Sequence, residues 1–387
     1  MSALDHRLSS ILTARKRSNR LRTLEANETS QGRQITIGTQ RFVNFVSNDY
    51  LGLSAHPNLR DAARDAASKY GVGSGASALL SGRSCVHEEL EKRLAKYLQR
   101  DSALLFSSGY MANLGVIAAL VERQDHLFCD TLNHASLIDA VSLTKANYTC
   151  YPHVDVESLE HDLRNSNNPH KWIITDTLFS MDGDIAPLAK LAALAKTYDA
   201  VLVGDDAHGF GVLANGRGAA KAFDLDQSAL PIQIVTFGKA LGSAGAAVVG
   251  SHALIDTLIQ AGRTFIYDTA PPPMIAAATI AALELVAGDP SLHRKLADNI
   301  AAFKGHAGDL PLLDSNTPIQ PVMIGRESTA LAIAASLRES GFYVRAIRPP
   351  TVPVGTARLR ICLSAAHLPE DIAALASALK IAFVQHG

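Results

Sequence analysis

Six short segments in the middle of the chain, at 103–106, 126–129, 172–176, 200–204, 232–236 and 246–249, read as strands, and several of them are unbroken apolar runs. A strand that is apolar at every position has both faces buried, which requires helices above and below its sheet. Between several of these runs apolar residues recur at helical spacing, over 110–121, 155–164 and 186–197. The alternation predicts an α/β fold with a mostly parallel central sheet covered by helices. A helix over 273–287 follows, with its proline in the first turn.

The flanks have a different rhythm. Leu4, Leu8, Ile11 and Leu12 share one helical face, with Arg7, Arg15, Lys16 and Arg17 close by. They predict a short amphipathic helix docked on the body or on a partner subunit. A strand pair near 34–46 and helices over 58–70 and 86–99 come next, separated by a stretch at 71–82 too rich in glycine and serine for an ordinary element. Gly288-Asp-Pro290 punctuates the chain. Beyond it, helices over 291–307, 327–339 and 369–383 and strands near 319–324, 342–346 and 358–363 predict a smaller C-terminal α+β domain. The expected division is an N-terminal helix with short strands at 1–45, a catalytic α/β domain at 46–288 and the α+β domain at 289–387.

Composition narrows the function classes. With 387 residues, 47% hydrophobic and 19% charged, the chain is globular. A net charge of -1 gives no overall attraction to nucleic acid or to an anionic membrane. The longest uncharged run, 102–121, is too polar at its centre to span a bilayer. Four cysteines without paired close spacing suggest reduced thiols in a cytoplasmic protein. The histidines and cysteines lack ligand spacing, so no metal is expected. Neither a P-loop, a dinucleotide fingerprint nor a serine nucleophile elbow occurs.

Candidate chemistry sits where strands end. Asp205-Asp206-Ala-His208 follows the strand at 200–204, and Thr236-Phe-Gly-Lys239 follows the one at 232–236. Each alone is equally an ordinary turn, and an acid at a strand end is common. Together they place a carboxylate and an amine on neighbouring strand ends, where open α/β sheets bind ligands. That pair suits an aldehyde cofactor with a pyridine nitrogen, the lysine meeting the aldehyde and the aspartate the nitrogen. Ser107-Ser-Gly109-Tyr110 precedes a helix whose first N–H groups would receive a phosphate, or is simply a capped turn. His134 also follows a strand, and Ser180 lies in a turn at 179–184; each is a ring contact or an ordinary turn residue. Arg358 and Arg360 fall on one face of a strand, fit for a carboxylate or for solvent.

Five segments in fixed order carry a family resemblance: Ser47-Asn-Asp-Tyr-Leu-Gly52, Asn133-His-Ala-Ser136, Phe179-Ser-Met-Asp-Gly-Asp184, Asp205-Asp-Ala-His-Gly209 and Thr236-Phe-Gly-Lys239. The chain resembles the α-oxoamine synthases, fold-type I enzymes that use pyridoxal 5'-phosphate (PLP). The resemblance implies that Lys239 carries the cofactor and moves the substrate α-proton, and that Asp205 faces the ring nitrogen. It puts His134 on the ring face, His208 and Ser180 near the ring oxygen, and Thr236 with the Gly109–Tyr110 backbone on the phosphate. Arg358 would hold the amino-acid carboxylate, and Arg22 and Asn48 would receive the acyl substrate. It further implies a cytoplasmic homodimer, with Thr269 reaching the neighbouring subunit's phosphate. The stretch Ile347-Arg-Pro-Pro-Thr-Val-Pro353, with Gly355-Thr-Ala-Arg-Leu-Arg360, is similar to members that join L-alanine to a pimeloyl thioester in biotin synthesis. The thiol carrier would be coenzyme A (pimeloyl-CoA) or an acyl carrier protein (pimeloyl-acyl carrier protein). Glycine C-acetyltransferase, which uses glycine and acetyl-CoA, is the alternative.

Overall fold

The computed structural model describes residues 2–386. Thirteen strands are found among them, in chain order β1 (Gln34–Ile37), β2 (Gln40–Asn44), β3 (Ser102–Phe106), β4 (His126–Asp130), β5 (Asn147–Tyr151), β6 (Lys171–Asp176), β7 (Ala200–Asp205), β8 (Ile232–Thr236), β9 (Ala246–Gly250), β10 (Ile319–Gly325), β11 (Phe342–Tyr343), β12 (Ala346–Ile347) and β13 (Ala357–Cys362). The chain divides into two compact units. One takes in the residues up to Ser47, Met181–Gly183 and everything from Lys295 on; the other takes in Asn48–Ser180 and Asp184–Arg294.

The second unit holds a seven-stranded sheet in the order β3-β9-β8-β7-β6-β4-β5. Neighbours from β8 through β5 pair in parallel, and β9 runs antiparallel to both β8 and β3. The unbroken apolar runs have the expected cause. Ile174 and Val203 pack on one face with Val116, Leu137 and Leu258, while Ile173 and Leu202 pack on the other with Leu159, Leu188 and Leu191. Each of these buried aliphatic side chains contributes roughly 1.5–3 kcal/mol relative to exposure. The edge strand β5 and the helices Ala135–Thr144 and His252–Ala261 were not foreseen from the sequence. β5 reads Asn-Tyr-Thr-Cys-Tyr and is mostly solvent-facing, so it has no apolar run to announce it.

The first unit contains two three-stranded sheets, β1-β2-β11 and β10-β13-β12. The expected strand near 342–346 is two short strands, β11 and β12, which belong to different sheets. The expected 1–45 segment does not stand apart: β2 pairs in parallel with β11, so it shares a unit with the C-terminal residues. Gly183 is drawn into the same unit, because its carbonyl accepts the hydroxyls of Ser315 (2.8 Å) and Thr317 (2.9 Å). The expected N-terminal helix is Ala3–Arg17, capped by Ser2, but no residue of it is buried. Leu4, Leu8, Ile11 and Leu12 all lie exposed, so the body of this chain does not cover that face.

Candidate active site

Parallel strands β4, β6, β7 and β8 end at Asp130, Asp176, Asp205 and Thr236. The ends of β6, β7 and β8, with His134 a few residues after β4, line a cavity of about 380 Å³ within the second unit. Lys239, Asp205, His208, His134, Thr236, Asn48 and the turn Ser107–Tyr110 all line it, joined by Asp176 and Ser136. Lys239 and Asp205, expected at neighbouring strand ends, thus line the same cavity.

The acidic wall is double. Asp176 and Asp205 stand opposite each other in register on β6 and β7. Asp205 Oδ1 accepts the Ala207 N–H at 3.0 Å, and Oδ2 accepts Asn113 Nδ2 at 2.6 Å. Asp176 Oδ2 accepts the His134 N–H at 2.6 Å. Burial, and then the Asp205 charge beside it, push the Asp176 carboxyl well above the usual range. The adjoining Asp206 has other partners: Thr177 Oγ1 at 2.6 Å, Gln233 Nε2 at 2.8 Å and the Ala219 N–H at 2.9 Å. Its complete burial pushes it up to about 6 despite these three donors.

His134 caps the helix Ala135–Thr144, its Nδ1 accepting the Ser136 N–H. Burial holds its imidazolium form down, partly opposed by the Asp205 charge. Tyr110 meets the His134 ring edge-on at 6.5 Å, and the Tyr110 hydroxyl donates to Asp139. On the other side His208 Nδ1 lies 2.7 Å from the Tyr50 hydroxyl, which donates to Asn48 Oδ1 at 3.2 Å.

The loop that carries Lys239 is closed by its own backbone. The Phe237 N–H donates to Gly245 O and the Gly242 N–H to Lys239 O, each at 2.9 Å. Gly242 has φ +62°, and a Cβ there would lie 2.3 Å from the Ser54 nitrogen, so only glycine fits. At the cavity's other end the helix Gly109–Leu120 begins, capped by Ser108, whose hydroxyl accepts the Met111 N–H. A Cβ on Gly109 would come within 2.6 Å of Thr236 Cγ2, so helix start and strand end are in close contact. An amine, a carboxylate, an imidazole and an open helix N-terminus with a hydroxyl beside it are a donor set matched to a phosphorylated pyridine aldehyde.

Four sequence candidates lie off this wall. Ser180 is in the same unit but not on the cavity lining. Thr269 lines a separate cavity with Ser107 and Asp268, where the Ser107 hydroxyl donates to Asp268. Arg22 and Arg358 belong to the first unit. Arg22 Nη2 donates to Thr351 Oγ1 at 2.9 Å; Arg358 is nearly buried, with Nη1 on Asp182 and Nε donating to Thr356 O at 3.1 Å. Sequence reasoning missed Asn113, Ser136 and Asp176 as site residues. Asp176 did leave a signal: like Asp205, it is an acid that closes an apolar run.

A family model described as aminotransferase class I and II matches residues 40–379. An 8-amino-7-oxononanoate synthase from Cellvibrio japonicus is 46% identical over 381 residues, covering 98% of this chain and 96% of that protein. The chain belongs to the 8-amino-7-oxononanoate synthase family. A crystal structure of 8-amino-7-oxononanoate synthase from Francisella tularensis superposes with a TM-score of 0.78 at 31% identity, covering 89% of this chain and 98% of that one. Serine palmitoyltransferase from S. paucimobilis, solved with a bound PLP–myriocin aldimine, gives a TM-score of 0.93 at 27% identity, with both chains covered completely. The fold of the 8-amino-7-oxononanoate synthase family is thus the fold-type I architecture expected from the sequence. Among the described residues, no single helix is long and apolar enough to cross a membrane.

Proposed function

We propose that this chain is a PLP-dependent acyltransferase that joins L-alanine to a pimeloyl thioester, releasing CO2 and the thiol carrier and yielding 8-amino-7-oxononanoate for biotin synthesis. One observation carries the reading: Lys239 and Asp205 line one cavity, together with the start of the helix Gly109–Leu120. Membership of the 8-amino-7-oxononanoate synthase family supports the choice of substrates over glycine and acetyl-CoA.

Lys239 would hold the cofactor aldehyde carbon, Asp205 its ring nitrogen and His134 its ring face. Thr236 and the Gly109 and Tyr110 N–H groups would take the phosphate. When bound, PLP supplies an electron sink for the bonds at the amino-acid α-carbon. The Lys239 amine takes the α-proton of alanine. Asp205, fixed by two donors, keeps its charge directed at one atom of the site. His208, oriented by Tyr50 and Asn48, donates to the ring oxygen or to the thioester carbonyl, and Ser180 belongs to the same ring oxygen by resemblance. Arg358 is assigned the alanine carboxylate, with Arg22 and Asn48 assigned the acyl substrate. The bare apolar face of the helix Ala3–Arg17 supports a homodimer, in which Thr269 serves the neighbouring phosphate. Free thiols at all four cysteines agree with a cytoplasmic location.

The test is a visible spectrum of the full chain with PLP, followed by borohydride reduction and peptide mapping. Cofactor fixed on Lys239 is expected, together with product formation from L-alanine and pimeloyl-CoA or pimeloyl-acyl carrier protein. Label on another lysine, or faster turnover of glycine with acetyl-CoA, would overturn the reading.

A further inference from the structure

Asn113 lies one turn into the helix Gly109–Leu120 and is 1% exposed. Its Nδ2 has two acceptors, Asp205 Oδ2 at 2.6 Å and Ser136 Oγ at 2.8 Å. A carboxamide nitrogen carries two hydrogens, so both are used. At the other end, Asn113 Oδ1 is buried without a hydrogen-bond partner among the described residues. Buried amides are normally satisfied at both ends. Turning this one over would set an oxygen 2.6 Å from the Asp205 carboxylate, acceptor against acceptor. The amide is therefore held in the orientation that serves Asp205, and its own oxygen goes unsatisfied.

The constraint passes on through Ser136. Its Oγ accepts an Asn113 hydrogen, which turns its own hydrogen toward His134 Nδ1 at 2.8 Å. The Ser136 N–H also points at Nδ1, from 3.3 Å. A nitrogen that faces two donors carries no proton, so the neutral ring holds its proton on Nε2.

We infer that Asn113 is a positioning residue: from one buried amide it fixes both the Asp205 carboxylate and the ring tautomer of His134. Two cavity groups assigned to opposite parts of the cofactor, its nitrogen and its face, thereby share one anchor. The inference rests on reading this cavity as the PLP site.

The experiment compares the full chain, labelled with ring-15N histidine, with Asn113→Leu, Ser136→Ala and the double variant, before and after PLP is added. The His134 signal is assigned by its loss in His134→Gln. The wild type is expected to show a proton on Nε2. Both single variants should shift His134 part of the way toward mixed tautomers, because the Ser136 N–H still faces Nδ1, and the double variant no further than Ser136→Ala alone. Asn113→Leu should also weaken PLP binding by at least about tenfold, as losses behind a contact residue do. Ser136→Ala should leave PLP affinity near the wild-type value. Asn113→Ser gives the same readout where the leucine variant does not fold. A wild-type His134 protonated on Nδ1, or an Asn113→Leu chain with unchanged tautomer and PLP affinity, would overturn the inference. A wild type that takes up no PLP sinks the cofactor assignment instead, since the tautomer is read before PLP is added.

Discussion

Asp176 and Asp205 face each other in register across two parallel strands, and both open on the same cavity. Two carboxylates so placed in a buried wall do not share negative charge freely. The folded state keeps the Asp176 proton to higher pH than the unfolded chain does, so this group lowers stability as pH rises past the ordinary carboxylate range. Asp176→Asn should flatten that decline, with an amide oxygen still accepting the His134 N–H. Denaturant midpoints at pH 5 and pH 8 would check it: a variant whose midpoint falls with pH as steeply as the wild type's contradicts the account.

Lys239→Ala removes the amine that moves the α-proton. Turnover should fall by roughly 10²–10⁴. Asp205→Asn should cost on the order of 10²–10³ in turnover, the scale of losing one preorganised electrostatic contact. Steady-state rates with saturating PLP would measure both losses; wild-type turnover in either variant excludes the assigned role.

Gly109→Ala drives a methyl group against Thr236, at 2.6 Å from Cγ2. Overpacking of this kind costs about 1–3 kcal/mol. If it falls on the phosphate cradle, PLP affinity drops by about tenfold or more. Titration of cofactor-free chain with PLP measures this directly, with inorganic phosphate as a competitor that locates the effect.

His153 bridges two acids, with Nδ1 on Asp130 and Nε2 on Asp184, each at 2.9 Å. Burial alone would lower its value, but the hydrogen bonds to Asp130 and Asp184 raise it to about 10. The folded value lies above the unfolded one, so the stabilisation is complete below about 6.5 and is lost as pH rises toward about 10. His153→Ala should cost roughly 1.5–3 kcal/mol at neutral pH and much less near pH 10. Equilibrium unfolding at the two pH values tests the difference; an equal loss at both would mean that the edge-on contact of the His153 ring with Phe179, at 4.4 Å, is the main contribution.

Arg358 already has a carboxylate in Asp182. Binding alanine there requires that one acid replace or share with another. Arg358→Ala should raise KM for L-alanine by about 10-fold or more, with little change for the thioester. Arg360→Ala, two positions along the same strand, provides the comparison: the larger alanine effect identifies the carboxylate anchor.

The parts of this site that could be read from sequence stand where an apolar run ends in a polar residue. Asp205 and Lys239 do so, because a strand buried on both faces has few other reasons to carry them there. Asn113 could not be found that way. It lies within an apolar helix, 92 residues from Asp205, and nothing in the local pattern separates it from a helix-capping or solvent-facing amide. The edge strand β5 escaped for the opposite reason, since solvent accepts polar residues on it. The apolar face of Ala3–Arg17 was legible as a helix, but which surface covers it depends on more than one chain's pattern.

The pairing of Val43 with Phe342 sets a timetable for synthesis. Strand β2 leaves the ribosome early, yet its neighbour β11 follows roughly 300 residues later. At about 5–20 residues per second, that is a wait on the order of 15–60 s. Through that interval β2 has its hairpin mate β1 on one side and an unmatched hydrogen-bonding edge on the other. A nascent chain stalled before residue 342 would present that edge to chaperones or to other nascent chains, so the first unit is the last part of the molecule to close.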